Sequence, residues 1–171
     1  NRGYSKQQCL YAKGYNPPIS HFTKLVAIII NDIDDLVHGQ KQGRVGMYNN
    51  VSLWAKSGKF QKMIKDLYVQ GFNIYITSDH GNTPCIGTGA IQNTGVEVES
   101  RSKRMFVLKD FAQEKDSFGD KVLAYPGYYL DKEYKYYVCA PGVSFDNKNE
   151  KVMTHGGISI DEVIVPFIKV K

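Results

Sequence analysis

The sequence predicts an α/β fold with a mostly parallel central sheet, and three observations carry that expectation. Residues 24–31 (KLVAIIIN) are β-branched and continuously apolar, residues 51–69 place apolar side chains at helical spacing, and residues 72–77 (FNIYIT) form a second β-rich run. Strand, helix and strand in that order make a βαβ unit.

Taken in order, residues 1–24 are rich in Gly, Tyr and Lys and contain Pro17 and Pro18, so they read as an irregular lead-in. The apolar run that follows has the pattern of a strand buried on both faces. Leu53, Phe60, Met63, Ile64 and Leu67 then recur at mostly three- and four-residue intervals with lysines on the other faces, an amphipathic helix stopped by Gly71. Residues 82–94 are rich in Gly, Thr and Asn and read as a surface loop. Short strands are expected at 104–108, 121–124 and 134–139. Ser159-Ile160-Asp161-Glu162 has the S-x-x-E form of a capping box, so a short helix begins there; Pro166 limits it before a last strand at 167–170. No repeat, low-complexity tract or linker interrupts the 171 residues, which reads as one domain.

Composition narrows the class. Hydrophobic content of 42% with 23% charged residues excludes disordered, collagen-like and coiled-coil chains. The longest apolar run, Leu25 to Ile30, falls far short of the roughly 20 residues that span a bilayer, so no membrane is expected. Three cysteines without C-x-x-C spacing read as reduced thiols, which points to the cytoplasm. The net charge of +5 permits an anionic partner. Between Lys41 and Lys65 stand Arg44, Lys56, Lys59 and Lys62 with no acidic residue, which fits either a solvated helix face or a phosphate-contacting surface.

The chemistry concentrates where strands end. Ile76-Thr77-Ser78-Asp79-His80-Gly81-Asn82 closes a buried strand with a carboxylate, an imidazole and a glycine, at the sheet edge where open α/β folds bind ligands. Past the first strand, Asp34-x-x-x-His38 puts a carboxylate and an imidazole on one face if the segment turns helically, with Asp32 and Asp35 as competing carboxylates. His155 stands in Met153-Thr154-His155-Gly156-Gly157, where two glycines allow a close backbone approach. Of the four histidines, His38, His80 and His155 each precede a glycine, whereas His21 does not. Asp34, His38, Asp79, His80 and His155 together offer the N/O donors suited to Zn²⁺ or Mn²⁺, and more of them than one catalytic zinc takes, so two metal ions are expected. Arg101 and Arg104 are candidates for a guanidinium facing phosphate.

The segments TSDHG at 77–81 and THGGISIDEVIVPF at 154–167, preceded by D-x-x-x-H at 34–38, resemble the PglZ domain of the alkaline phosphatase superfamily, over about residues 25–170. The resemblance implies an α/β/α sandwich with two divalent metals, usually zinc. Asp34, His38 and His155 would hold one ion, and Asp79 and His80 the other. It also implies an earlier Asp ligand and a Thr or Ser nucleophile; none of Ser5, Ser20 or Thr23 fits the position, so the chain is expected to be the carboxyl-terminal part of the domain, with its nucleophile upstream of Asn1 and little turnover alone. The implied activity is metal-dependent hydrolysis of phosphoric esters, phosphodiesters of nucleotides or oligonucleotides above all, alongside other proteins of a bacterial phage-defence or signalling system. The alternative is a non-catalytic interaction module that keeps the fold.

Overall fold

The computed structural model describes residues 3–38, 42–89, 98–109 and 119–171. Strands β1 (Cys9–Lys13) and β2 (Leu25–Ile29) pair in parallel, Cys9 opposite Leu25 and Lys13 opposite Ile29. Helices α1 (Asp32–His38), α2 (Gly43–Lys56) and α3 (Lys59–Val69) follow, then β3 (Tyr75–Thr77) and β4 (Thr83–Gly87). Next come β5 (Val98–Arg101), β6 (Met105–Lys109), β7 (Val122–Tyr125), β8 (Tyr134–Cys139), β9 (Val143–Ser144) and β10 (Lys151–Thr154). The short helix α4 (Ile160–Val163) leads to β11 (Phe167–Lys169).

Two apolar centres hold these elements. Helix α3 turns Met63 and Leu67 inward with Ile74, against Ile28, Ile30, Ile76 and Val170, so its amphipathic stripe covers the β2 and β3 region. The second centre is Phe106, Leu108, Val122 and Tyr137, with the Phe106 and Tyr137 rings stacked 5.0 Å apart across the β6–β8 ladder.

The strands differ from a mostly parallel central sheet. Among the described residues they form small mixed sheets in the orders β1-β2, β10-β4-β9, β11-β3 and β5-β6-β8-β7, and only β1·β2 and β4·β9 run parallel. Parallel pairing needs a long crossover, whereas short links such as residues 126–133 between β7 and β8 return the chain antiparallel. Nor is β2 buried on both faces: it alternates, with Leu25 and Ile29 50% and 38% exposed and Ile28 facing the α3 core.

Local readings are corrected in three further places. The lead-in contains β1, whose alternation of Leu10 and Ala12 inward with Tyr11 outward was hidden by its Lys and Tyr content. The helix expected across 51–69 is two helices, because Gly58 takes a left-handed conformation (φ +73°) that breaks the path between α2 and α3. Part of the loop expected at 82–94 is strand β4, with Thr83, Cys85 and Gly87 inward; residues 90–94 lie outside the described residues. No helix among the described residues is long and apolar enough to cross a membrane.

Candidate metal centre

Three chain segments meet because of how the strands and glycines are placed. Thr154 at the end of β10 pairs with Thr83 at the start of β4, so the residue after one and the residues before the other lie side by side. Those neighbours are His155 and His80-Gly81-Asn82. Their imidazoles stack, with ring centroids 3.8 Å apart and planes 12° from parallel. Helix α1, which packs against β10, brings Asp34 to the same place, with its Oδ1 3.6 Å from His155 Nε2.

Donor atoms of Asp34, His80 and His155 all lie within 4.8 Å of one another. A separation of 3.6 Å is too long for a hydrogen bond. It is close to the spacing of two ligand atoms that share a tetrahedral ion, which at about 2.0–2.2 Å each stand about 3.3–3.6 Å apart. One carboxylate with two imidazoles is a set that suits zinc or manganese, so these residues fit the divalent cation that the motifs imply. The Asp34 and His155 side chains are 44% and 25% exposed, while Oδ1 of Asp34, the atom toward His155, is buried.

The backbone orients His80, and the His155 ring is stacked on it. The Nδ1 of His80 lies 3.0 Å from the Gly81 carbonyl oxygen, which can only accept, so Nδ1 carries the proton and Nε2 the lone pair of the neutral ring. That Nε2 is 3.7 Å from Asp79 Oδ1, and Asp79 is 90% exposed at the rim. Of the competing carboxylates, Asp35 is exposed, and Asp32 is bound to Tyr15 and Trp54 instead. His38 ends α1, as the D-x-x-x-H spacing on a helix requires, but its side chain lies outside the described residues. Ser20 and Thr23 follow β1, yet their hydroxyls pair with each other at 3.1 Å in an exposed turn.

Beneath the cluster lies a buried ion pair. Arg104, read from the sequence as a candidate for phosphate, is 1% exposed and turned inward: its Nε donates to Glu162 Oε1 at 2.8 Å, and its Nη1 donates to Cys85 Sγ at 3.0 Å and to the Val143 carbonyl. Arg101, the other phosphate candidate, stands at the end of β5 with its side chain outside the described residues. Glu162, 2% exposed, also accepts the Gly157 N–H at 2.8 Å, the Ser159 N–H at 3.0 Å and the Ser159 hydroxyl at 2.6 Å. Burial by itself raises the Glu162 carboxyl, but the hydrogen bonds from Ser159, Arg104 and Gly157 outweigh it and hold the group below its ordinary value. Burial likewise opposes the charge on Arg104, and the bond to Glu162 more than restores it. Burial also keeps the nearby thiols protonated, with Cys139 pushed up to about 12.

The glycines of both motifs serve this arrangement. A Cβ on Gly157 would meet Arg104 Nε at 2.9 Å and Glu162 Oε2 at 3.0 Å, and one on Gly156 (φ +100°) would meet Ser102 Oγ at 2.5 Å. Gly81 donates its N–H to the Glu162 carbonyl at 2.8 Å, and a Cβ there would stand 2.0 Å from the Asp161 carbonyl oxygen. Glu162 therefore fastens the His80 segment through its backbone and the His155 segment through its carboxylate. The S-x-x-E pattern encodes its capping role alone; the signal for the second is a glycine pair followed five residues later by a carboxylate.

The description of the BREX system PglZ alkaline phosphatase-like domain fits residues 11–170. The chain belongs to that family. The α/β class of the alkaline phosphatase-like domain agrees with the helices and mixed sheets seen here, and the PglZ match spans every residue of the Asp34, His80 and His155 cluster. Comparison with curated proteins gave no match.

Proposed function

We propose that this PglZ-type domain forms a divalent-cation centre that recognises and hydrolyses phosphoric esters, with nucleotides or oligonucleotides as the substrate class, in the setting of a phage-defence system. The observation that carries the reading is the convergence of Asp34, His80 and His155 within 4.8 Å in a chain of the PglZ family. Asp34 and His155 come from one implied ligand set and His80 from the other; together the three would hold a divalent ion, zinc by preference, where the two sets adjoin. Such an ion supplies Lewis acidity toward phosphoryl oxygens.

The chain's own residues provide the rest. The Gly81 carbonyl fixes the His80 ring with Nε2 presented, the stacked His155 ring faces Asp34, and Asp79 adds negative charge at the rim. The buried Arg104–Glu162 pair holds both histidine segments from below. Lys56 of α2 with Lys59 and Lys65 of α3 offers positive charge toward an anionic strand, while Lys62 is paired with Asp66 at 2.7 Å.

The test has two arms. Zinc- or manganese-loaded chain should bind thymidine monophosphate in calorimetry, and a chelator should abolish that binding. The full-length protein should hydrolyse bis(p-nitrophenyl) phosphate faster than p-nitrophenyl phosphate, again only without chelator. Nucleotide binding that persists with chelator, or ester hydrolysis that ignores it, would contradict the reading.

A further inference from the structure

Asp32 opens α1, two residues before Asp34, and is the meeting point of three segments. Its Oδ2 accepts the Tyr15 hydroxyl at 2.5 Å and the Trp54 indole N–H at 3.2 Å, while the same N–H lies 2.7 Å from the Tyr15 oxygen. Tyr15 comes from the turn after β1 and Trp54 from the last turns of α2. Burial and the bond to Asp32 both push the Tyr15 phenol up, so it remains a donor throughout the usual pH range.

Helix α1 has seven residues, too few to be stable by itself, so its direction is set by whatever holds its ends. Val37, 1% exposed, holds the carboxyl-terminal half. Asp32 holds the start. Asp34 lies between them, three residues before Val37 and so on the same helical face. We propose that the Tyr15–Asp32–Trp54 hydrogen-bond triad positions α1 so that Asp34 meets His155 and His80, which makes these three positioning residues for the cation centre. The inference rests on the reading of Asp34 as a ligand. It also gives Asp32 a role distinct from its neighbour: a carboxylate that turns its helix, while Asp34 presents its own carboxylate to the ion.

The experiment combines zinc affinity, measured by competition with a chromophoric chelator, with the ring resonances of His80 and His155 in the metal-free chain. Tyr15→Phe removes the donor and Asp32→Ala the acceptor. Asp32→Asn keeps an acceptor oxygen and serves as the rescue. Tyr15→Phe and Asp32→Ala should weaken zinc binding roughly 10–100-fold, as loss of supporting hydrogen bonds at metal sites commonly does, and should move the His155 resonances. Asp32→Asn should do neither. Trp54→Phe keeps an aromatic ring against Phe60 and substitutes for Asp32→Ala should that variant fail to fold, with the same direction of effect. Wild-type zinc affinity together with unmoved resonances in Tyr15→Phe and Asp32→Ala would overturn the proposal while leaving the metal reading intact. A wild type that binds no zinc, with resonances that still move in Tyr15→Phe, would overturn the metal reading and uphold the positioning. Absent zinc binding with unmoved resonances would overturn both.

Discussion

Replacing Glu162 with Gln is expected to destabilise the fold by about 3–5 kcal/mol, the usual cost of leaving one member of a buried ion pair without its partner. Arg104 is 1% exposed, so the uncompensated guanidinium has no route to water without opening the structure. Arg104→Met should cost a similar amount in reverse, stranding the carboxylate on the Gly157 and Ser159 donors alone. Losses of that size are a large share of the 5–15 kcal/mol typical of a folded domain, and a urea unfolding midpoint reads them directly. A shift worth less than about 1 kcal/mol would show that the pair is dispensable.

Glu162 also gives the protein an acid limit. A carboxyl held below its unfolded value, about 4.3, adds stability that is complete above that value and is lost as pH falls through the lower folded one. Wild type should therefore lose stability across that acid window more steeply than Glu162→Gln, which has no proton to take up there. Parallel curves for the two proteins would remove Glu162 from the acid response.

Gly81→Ala is the second large effect. The added Cβ would stand 2.0 Å from the Asp161 carbonyl oxygen, and because that atom is backbone no rotamer change relieves the clash. The segment must move away from α4, and the 2.8 Å bond from Gly81 N–H to the Glu162 carbonyl goes with it. Overpacking of this kind costs about 1–3 kcal/mol, and here it also displaces His80 from His155, so zinc affinity should fall by at least roughly tenfold. Gly58→Ala is the control: its positive φ carries a backbone cost of about 1–2 kcal/mol, yet open space surrounds it, so zinc affinity should stay at the wild-type value. Equal zinc affinity in Gly81→Ala and wild type would separate the glycine from the site.

What the sequence made legible follows from range. β8 at Tyr134–Cys139 and the capped start of α4 at Ser159 are local patterns, and both appear where their residues placed them. Which strand pairs with which is a long-range matter: β11 returns antiparallel to β3, ninety or so residues earlier, and nothing in either run encodes that choice. β10 (KVMT) is too short to register as a strand, and β1 (CLYAK) is masked by the Gly-, Tyr- and Lys-containing lead-in around it. In the site, Asp34, His80 and His155 stood out because each carries chemistry beside a strand end or a glycine. Arg104 shows the opposite case. A charged side chain normally reads as surface, and its burial depends on a partner 58 residues later whose local pattern encodes only a helix cap.

The most direct measurement is X-ray absorption at the zinc edge of the loaded chain, compared with Asp34→Ala, His80→Ala and His155→Ala. Wild type should show imidazole scattering at first-sphere distances of about 2.0–2.2 Å, diminished in both histidine variants, with zinc content reduced in all three. Unchanged zinc content and an unchanged imidazole signal across the three replacements would contradict a cation held where Asp34, His80 and His155 meet.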